Sequence, residues 1–279
     1  MPLKAVKPKH IEKRLKILLF GEAGAGKTTA AIHFPRPIII DTERGCEQSE
    51  YSALLDKQEG AIYQTADFNE IRNEIKALLC ENHPYKTLII DPITIVWDEL
   101  VNAAERKMDA KFGRHFALAN KQFKELMNLI LRLDMNVIFT AHTKDKYDEK
   151  MTVTDTVADG YKKLPYFFDL VLEIKIINNQ RMACVRKSRI ANFKSLEIFP
   201  FSYDLVADKY GREILERDAV PEQLVSAEQV IELRELIKIH KVCNDAVNIT
   251  LDRANAANFD ELPADKAEQW INFLKKNEA

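Results

Sequence analysis

The sequence predicts an α/β fold in which a mainly parallel central sheet lies between layers of helices. Short apolar runs alternate with segments of helical periodicity through most of the chain. The first of these runs leads through a glycine-rich loop directly into a helix, and beyond Pro221 the pattern becomes wholly helical. We therefore expect a basic N-terminal tail at residues 1–14, an α/β core at 15–220 and a small helical C-terminal module at 221–279.

The glycine-rich loop has the P-loop pattern Gly-x-x-x-x-Gly-Lys-Thr, preceded by an apolar strand at 15–20 and followed by a helix. Its glycines let the backbone curl until successive N–H groups point at phosphate oxygens, and the helix N-terminus adds its own free N–H groups. Lys27 is expected to contact the β- and γ-phosphates, and Thr28 to bind Mg²⁺. The predicted nucleotide-binding residues are Gly21, Glu22, Ala23, Gly24, Ala25, Gly26, Lys27, Thr28 and Thr29.

Two further apolar strands, at 38–41 and 87–91, end in aspartates. Ligands bind at the carboxyl ends of the strands in sheets of this kind. The second strand has the Walker B form, in which the terminal carboxylate of Asp91 joins Thr28 at the Mg²⁺ ion. An ordinary helix cap is the alternative role for Asp91. A weak strand at 61–65 and an amphipathic helix at 69–81 lie between the two.

The rest of the core continues the alternation, with helices at 94–111 and 117–133 and a buried strand at 137–142. A long loop is predicted at 143–165. Strands at 168–177 and 181–186 should form a hairpin around Asn178 and Asn179, followed by a strand region at 196–206 that is broken at Pro200. Helices of the C-terminal module are predicted from Ser226, around 246–254 and at 264–274.

Composition narrows the choice of function. The formal net charge of −2 creates no global field that would attract nucleic acid. The four cysteines show neither CxxC spacing nor a Cys/His cluster, which indicates reduced thiols in a cytoplasmic protein. No apolar run reaches membrane-spanning length, so we expect no membrane contact. The basic residues near the N-terminus are interpreted as a solvated tail, with a DNA or subunit contact as the alternative.

Three later segments resemble RecA/RadA recombinases. Residues 40–43 resemble the segment in which a glutamate, here Glu43, activates the attacking water. The strand that ends at His142 resembles the one that ends in a γ-phosphate-sensing residue, which is glutamine in RecA. Residues 185–191 resemble the basic segment that reaches a neighbouring subunit's ATP, which assigns that role to Lys187 and Arg189. Within that family the compact chain with its helical tail looks most like phage single-strand-annealing ATPases, the Sak group.

The resemblance implies a RecA-like P-loop ATPase that uses ATP and Mg²⁺ and acts as a homo-oligomer, either a ring or a filament. Its hydrolysis would be stimulated by single-stranded DNA and would serve annealing or strand exchange in phage recombination, in the host bacterial cytoplasm. The C-terminal module would dock a partner such as a single-strand-binding protein. The implied catalytic residues are Lys27, Glu43, Asp91, His142, Lys187 and Arg189.

Residues 144–166 are the candidate contact with single-stranded DNA, with lysines for phosphates and tyrosines for stacking on bases. Basic and acidic side chains balance across the predicted loop, so affinity should be modest and salt-dependent. The predicted DNA-binding residues are Lys144, Lys146, Tyr161, Lys162, Lys163 and Tyr166.

Two rival functions remain, a P-loop kinase and an ATP-switched partner protein without DNA activity. A kinase lid would carry arginines, and residues 143–165 contain none. A GTPase would show Asn-Lys-x-Asp after a strand, which residues 143–146 do not match. Purely structural roles remain as alternatives. Glu43 could be a solvated turn residue, and His142 could be a hydrogen-bonded histidine of the core. Residues 187–189 could be a solvated strand end, and Tyr161, Lys162, Lys163 and Tyr166 could be surface residues of a mobile loop.

Overall fold

The computed structural model of the protein describes residues 12–47, 49–107, 113–148 and 152–276. Its strands are β1 (Lys16–Phe20), β2 (Pro37–Asp41), β3 (Ala61–Gln64), β4 (Thr87–Asp91), β5 (Asn136–Ala141), β6 (Thr143–Tyr147), β7 (Val153–Ala158), β8 (Leu170–Ile177), β9 (Gln180–Ser188) and β10 (Ile198–Pro200). Its α-helices are α1 (Lys27–Ile32), α2 (Ser49–Lys57), α3 (Phe68–Cys80), α4 (Ile93–Lys107), α5 (Arg114–Arg132), α6 (Tyr203–Tyr210), α7 (Arg212–Glu216), α8 (Ala227–Ile239), α9 (Asn244–Arg253) and α10 (Ala264–Lys276).

The central sheet has the strand order β10-β9-β8-β1-β5-β4-β2-β3. The six strands from β8 to β3 are mutually parallel. At one side, β9 pairs antiparallel with β8, and β10 pairs antiparallel with β9. The carboxyl ends of the parallel strands therefore share one end of the sheet, here termed the P-loop end. The parallel order places β5 between the P-loop strand β1 and the Walker B strand β4.

Two hydrophobic cores cover the two faces of the sheet. One face packs against α3, α4 and α5, with Ile71, Leu100 and Phe123 among the buried residues. The other packs against α1, α2, α6 and α7, with Ile32, Leu55 and Val206 buried there. This is the α/β architecture predicted from the sequence, a P-loop core with a mainly parallel central sheet, followed by C-terminal helices.

Two of the predicted segments have a different secondary structure. The segment predicted as a loop at 143–165 instead contains the antiparallel hairpin of β6 and β7. The strand region predicted at 196–206 is a short strand, β10, followed by α6. Ser202 explains the change to helix, because its side chain accepts a hydrogen bond from Leu205 N at 3.2 Å and caps α6.

The three C-terminal helices form a hydrophobic core of their own around Leu233, Leu262 and Trp270. The predicted cap is present, since Ser226 and Gln229 form a reciprocal capping box. Charged side chains also attach these helices to the α/β core. The buried Glu261 forms ion pairs with Arg72 and with Lys76 of α3.

The interpretation of the N-terminal basic residues as a solvated tail is wrong for two of them, and residues 1–11 lie outside the described ranges. Arg14 is buried and donates to the carbonyls of Ile214 and Arg217 at 2.7 and 2.6 Å. Lys16 is buried and donates to the carbonyls of Leu133 and Met135. Carbonyls at the end of the sheet opposite the P-loop replace water for both cations. No helix in the described ranges is long and apolar enough to cross a membrane.

Candidate nucleotide-binding site

Glycine is required at two positions of the loop between β1 and α1. A Cβ atom on Gly21 would lie 2.3 Å from the carbonyl oxygen of Ile174 in β8, so any side chain there would collide with backbone. Gly26 has φ +81°, a left-handed conformation that side chains disfavour. These constraints produce the tight loop over the end of β1 that the P-loop pattern predicts.

Lys27 lies inside this loop. Its Nζ atom donates to the carbonyls of Gly21 and Glu22 at 2.8 and 2.9 Å. Burial lowers the pKa of Lys27, while the carboxylates of Asp91 and Glu43 oppose that effect. The amine therefore lies inside the loop, and its contact with phosphate stays a prediction.

Asp91 lies at the end of β4 with two hydroxyls on its carboxylate. Thr28 Oγ1 donates to Asp91 Oδ2 at 2.6 Å, and Thr140 of β5 donates to Oδ1. Burial raises the pKa of Asp91, although the hydrogen bonds from Thr140 and Thr28 act in the opposite direction. The Thr28–Asp91 contact brings together the hydroxyl and carboxylate oxygens that a hard cation such as Mg²⁺ prefers.

The described residues contain no cluster of three or more His, Cys, Asp or Glu side chains that could hold a metal ion. This donor set suits Mg²⁺, which is usually bound by one or two protein groups together with substrate phosphates and water. Thr28 and Asp91 therefore fit the predicted metal role. Thr140 was missed by the sequence analysis, and its position one residue before the end of an apolar strand was the available signal.

Glu43 and His142 form a pair across the end of β4. Nε2 of His142 lies 3.1 Å from Oε1 of Glu43, and both side chains are partly exposed. Helix α4 fixes the backbone of His142, since the N–H of His142 donates to Thr94 Oγ1 at 3.0 Å. The two residues that were predicted separately as the water-activating base and the phosphate sensor are thus in direct contact.

The turn that carries Glu43 is held by Asp41. The carboxylate of Asp41 accepts hydrogen bonds from the backbone N–H groups of Gly45 and Cys46 at 3.1 and 2.9 Å. Thr42 adds a bond from its hydroxyl to Pro92 O at 2.8 Å, which ties the turn to the segment after β4. The carboxylate of Asp41 is therefore bound to backbone amides, while Glu43 lines the cavity beside His142.

A cavity of about 570 Å³ joins these groups at the P-loop end of the sheet. Five of the nine predicted nucleotide-binding residues line it, namely Gly21, Ala23, Gly24, Lys27 and Thr28. Ala25 is buried in the core instead. Glu43, Asp91 and His142 also line the cavity, together with Tyr51, whose helix α2 the sequence analysis did not predict. Its volume is that of a site for a small molecule.

Lys187 and Arg189 lie at the opposite end of the sheet. Lys187 is paired with Val171 near the start of β8, and its Nζ donates to the carbonyls of Pro165 and Phe168 at 2.6 and 2.7 Å. Arg189 is more exposed and donates to Tyr166 O at 2.9 Å. The amine of Lys187 is thus engaged by its own chain, which argues against its predicted role at a neighbouring subunit's ATP.

The predicted DNA-binding residues do not form one patch. Lys144 and Lys146 lie on β6 at the P-loop end, where Lys144 pairs with Asp159 at 2.8 Å. Tyr161 packs against Trp97 and Phe123, with ring centroids 5.2 and 4.8 Å away. This packing occupies the ring and argues against the prediction that Tyr161 stacks on a base.

The remaining members of the DNA set are exposed. Lys162 and Lys163 face solvent between β7 and β8. Tyr166 is 71% exposed and shares a surface depression with Arg189 at the end of the sheet opposite the P-loop. The set is therefore divided between the two ends of the sheet, because the chain crosses the sheet from one end to the other between β7 and β8.

Comparison with known proteins adds a family. A family model described as an AAA domain matches residues 13–196. No curated protein matches the chain. Among solved structures, the crystal structure of the RadB recombinase is 18% identical, with a TM-score of 0.43 over 66% of this chain and 84% of that chain.

Proposed function

This chain belongs to the AAA-domain family of P-loop proteins, and on that premise we propose that it hydrolyses ATP to ADP and phosphate with Mg²⁺ bound at Thr28 and Asp91. The observation that carries the proposal is the convergence of Lys27, Thr28, Glu43 and Asp91 on one cavity. Phosphoryl transfer to water needs a glycine-rich loop and a cation for the phosphates, oxygen donors for the metal ion, and a carboxylate that activates the water.

Each part has a separate task. Lys27 leaves the carbonyls of Gly21 and Glu22 and binds the phosphates, where its charge meets the γ-phosphoryl group. Thr28 and Asp91 hold the metal, with Thr140 orienting the Asp91 carboxylate. The bound Mg²⁺ would neutralise charge on the phosphate oxygens.

Glu43 is the proposed general base. Its carboxylate faces the cavity from a turn that Asp41 and Thr42 hold in place. It would accept a proton from the attacking water, a task for which a positioned carboxylate suffices. His142 orients Glu43 through the 3.1 Å contact and is proposed to sense the γ-phosphate from the same position.

We further propose that ATP turnover is coupled to single-stranded DNA in an oligomer, either a ring or a filament, that serves annealing or strand exchange. Support comes from the resemblance of residues 40–43 and 137–142 to RecA-type segments and from the exposure of Lys162, Lys163 and Tyr166. The β6–β7 hairpin follows His142 directly, so a ligand on it would lie next to the catalytic pair. Arg189, rather than Lys187, is the candidate for the neighbouring subunit's ATP, and the C-terminal helices are the candidate dock for a single-strand-binding protein.

The test is the rate of ATP hydrolysis by the full chain, with and without a single-stranded oligonucleotide. Hydrolysis that depends on Mg²⁺ and rises with DNA is expected. Hydrolysis that DNA leaves unchanged would keep the ATPase and reject the DNA coupling. Phosphate transfer to a small acceptor in place of water would instead identify a kinase.

A further inference from the structure

We propose that Arg181 binds a phosphate group of the nucleotide held by the P-loop of its own subunit, an inference that rests on the proposed function. Arg181 lies directly beside the loop: a Cβ atom on Gly26 would lie 2.6 Å from both Nε and Nη2 of its guanidinium. Gly26 immediately precedes α1, whose first N–H groups face the phosphates in P-loop proteins. The guanidinium therefore borders the site of highest anionic charge in the proposed complex.

The fold explains how a residue of β9 reaches the P-loop. Arg181 is paired with Ile176, near the end of β8 that extends past the P-loop strand. Side chains alternate along a strand, so Arg181 lies on the same face as Ala183 and Val185. Both of these are buried in the core that also contains α1. Arg181 thus continues that row beyond the core, toward the N-terminal end of α1.

Within the described ranges the guanidinium has no hydrogen-bond acceptor. Among the described residues, none forms an ion pair or a side-chain hydrogen bond with it, and Nε is buried without a partner. Burial lowers the pKa of Arg181. The pKa of His33 is also lowered, mainly by burial of its ring and next by the nearby charge of Arg181. The guanidinium is partly buried and its Nε is shielded from water, and a phosphate offers guanidinium the paired oxygens that it binds best.

A neighbouring residue connects Arg181 to the nucleotide cavity. Tyr51 lines the cavity and lies near enough to Arg181 for its phenol, when ionised, to raise the pKa of that guanidinium. Lys27 approaches the loop from inside, through the carbonyls of Gly21 and Glu22. Arg181 approaches from the side of β9, so the two cations would hold the phosphates from different directions. This gives the site a second cation within the subunit.

The test is nucleotide affinity measured by calorimetry, with ADP and with a non-hydrolysable ATP analogue in the presence of Mg²⁺. The variants are Arg181→Met, which keeps the unbranched stem but removes the charged group, Arg181→Lys, and Gln180→Ala as a control on the other face of the strand. A lost charge-assisted hydrogen bond is expected to weaken both affinities about 10- to 100-fold in Arg181→Met. The affinity of Arg181→Lys should lie between those of the wild type and Arg181→Met, and the affinity of Gln180→Ala should equal that of the wild type.

The outcomes separate this inference from the proposed function. If the wild type and Gln180→Ala bind nucleotide and Arg181→Met binds it equally well, the Arg181 assignment is wrong and the ATP site stands. If the wild type binds neither nucleotide, the proposed function fails and this inference fails with it. GDP serves as a third ligand, because it has the same phosphates and a different base. If Arg181→Met binds ADP more weakly than the wild type does but binds GDP equally well, Arg181 contacts the base, and the phosphate assignment is overturned.

Thermal unfolding of the nucleotide-free variants distinguishes binding from packing. Arg181→Met should unfold at a temperature close to that of the wild type, because among the described residues the guanidinium has no ion pair or side-chain hydrogen bond that the substitution would remove. If Arg181→Met does not fold, Arg181→Lys decides, since it keeps the charge but loses the planar pair of donors. Wild-type affinity in Arg181→Lys would then overturn the proposal, and a loss of several-fold would support it.

Discussion

Nε2 of His142 lies 3.1 Å from Oε1 of Glu43, across the end of the strand that carries Asp91. The contact joins the carboxyl ends of β2 and β5, which are separated in the sheet by β4. A carboxylate held in this way is oriented before nucleotide arrives. Any change that moves β5 or the hairpin after it would therefore move the proposed base as well.

Glu43→Gln is expected to keep ATP binding and to slow hydrolysis, because the amide has the shape of the carboxylate but cannot accept the water's proton. A positioned general base contributes roughly 10²- to 10⁴-fold in rate. Single-turnover hydrolysis measures the effect, and Glu50→Gln on the exposed start of α2 is the matched control. Normal turnover in Glu43→Gln would place the base elsewhere.

Lys27→Ala should lose most nucleotide affinity and all turnover, since Lys27 is the cation inside the loop and its Nζ contacts two loop carbonyls. Equilibrium binding of ADP and ATP is the measurement. Lys121→Ala, on the exposed face of α5, removes a lysine without touching the site. A Lys27→Ala protein that hydrolyses ATP at the wild-type rate would contradict the assignment of the site.

Alanine at both Lys162 and Lys163 should weaken single-stranded DNA binding and flatten its dependence on salt, because fewer counterions are released when fewer cations contact phosphate. Anisotropy titrations at several salt concentrations would show it. The double alanine variant at Lys121 and Lys124, two exposed lysines of α5, controls for net charge. If both double variants give the same affinity and salt slope, residues 162–163 are not the DNA contact.

Lys16→Met should change how stability depends on pH. Burial lowers the pKa of Lys16 to about 7, against an ordinary value of 10.5. Between these values the unfolded chain binds more protons than the folded one, so this lysine makes stability rise with pH, by at most ~1.4 kcal/mol per unit. The variant should lack that rise in denaturant unfolding from pH 7 to 10. A slope equal to that of the wild type would mean that Lys16 keeps its ordinary pKa.

Glu261→Gln should lower the unfolding temperature, because the buried carboxylate pairs with Arg72 and Lys76. Without that charge Arg72 keeps only its 3.5 Å ion pair with Glu125. Breaking a buried ion pair costs about 3–5 kcal/mol. Asp260→Asn, an exposed neighbour, is the control. An unchanged midpoint would indicate that the contact between the helical module and α3 contributes nothing to stability. That residues 221–279 form a separable module stays a prediction.

Local sequence patterns were sufficient to predict the strand–loop–helix around Lys27, the position of Asp91 at the end of an apolar strand, and the hairpin at Asn178 and Asn179. Each of these depends on neighbours in sequence: glycines where the backbone must curl, apolar runs that need burial, and turn residues between strands. The alternation of such runs with helical segments also determined the parallel architecture. The β6–β7 hairpin was missed because its strands are polar and largely exposed, so no hydrophobic alternation marks them.

Only the tertiary structure decided which distant residues meet. It brought Glu43 to His142, Thr140 to Asp91 and Arg181 to Gly26, because the order of strands in the sheet, rather than spacing along the chain, sets those distances. It also packed the ring of Tyr161 against Phe123, away from the proposed DNA surface, and it bound the amine of Lys187 to backbone carbonyls. The sequence by itself determined the kinds of side chain available for a nucleotide site. Burial and pairing determined which of them face the ligand, since a charged or aromatic side chain takes the partner that folding places nearest to it.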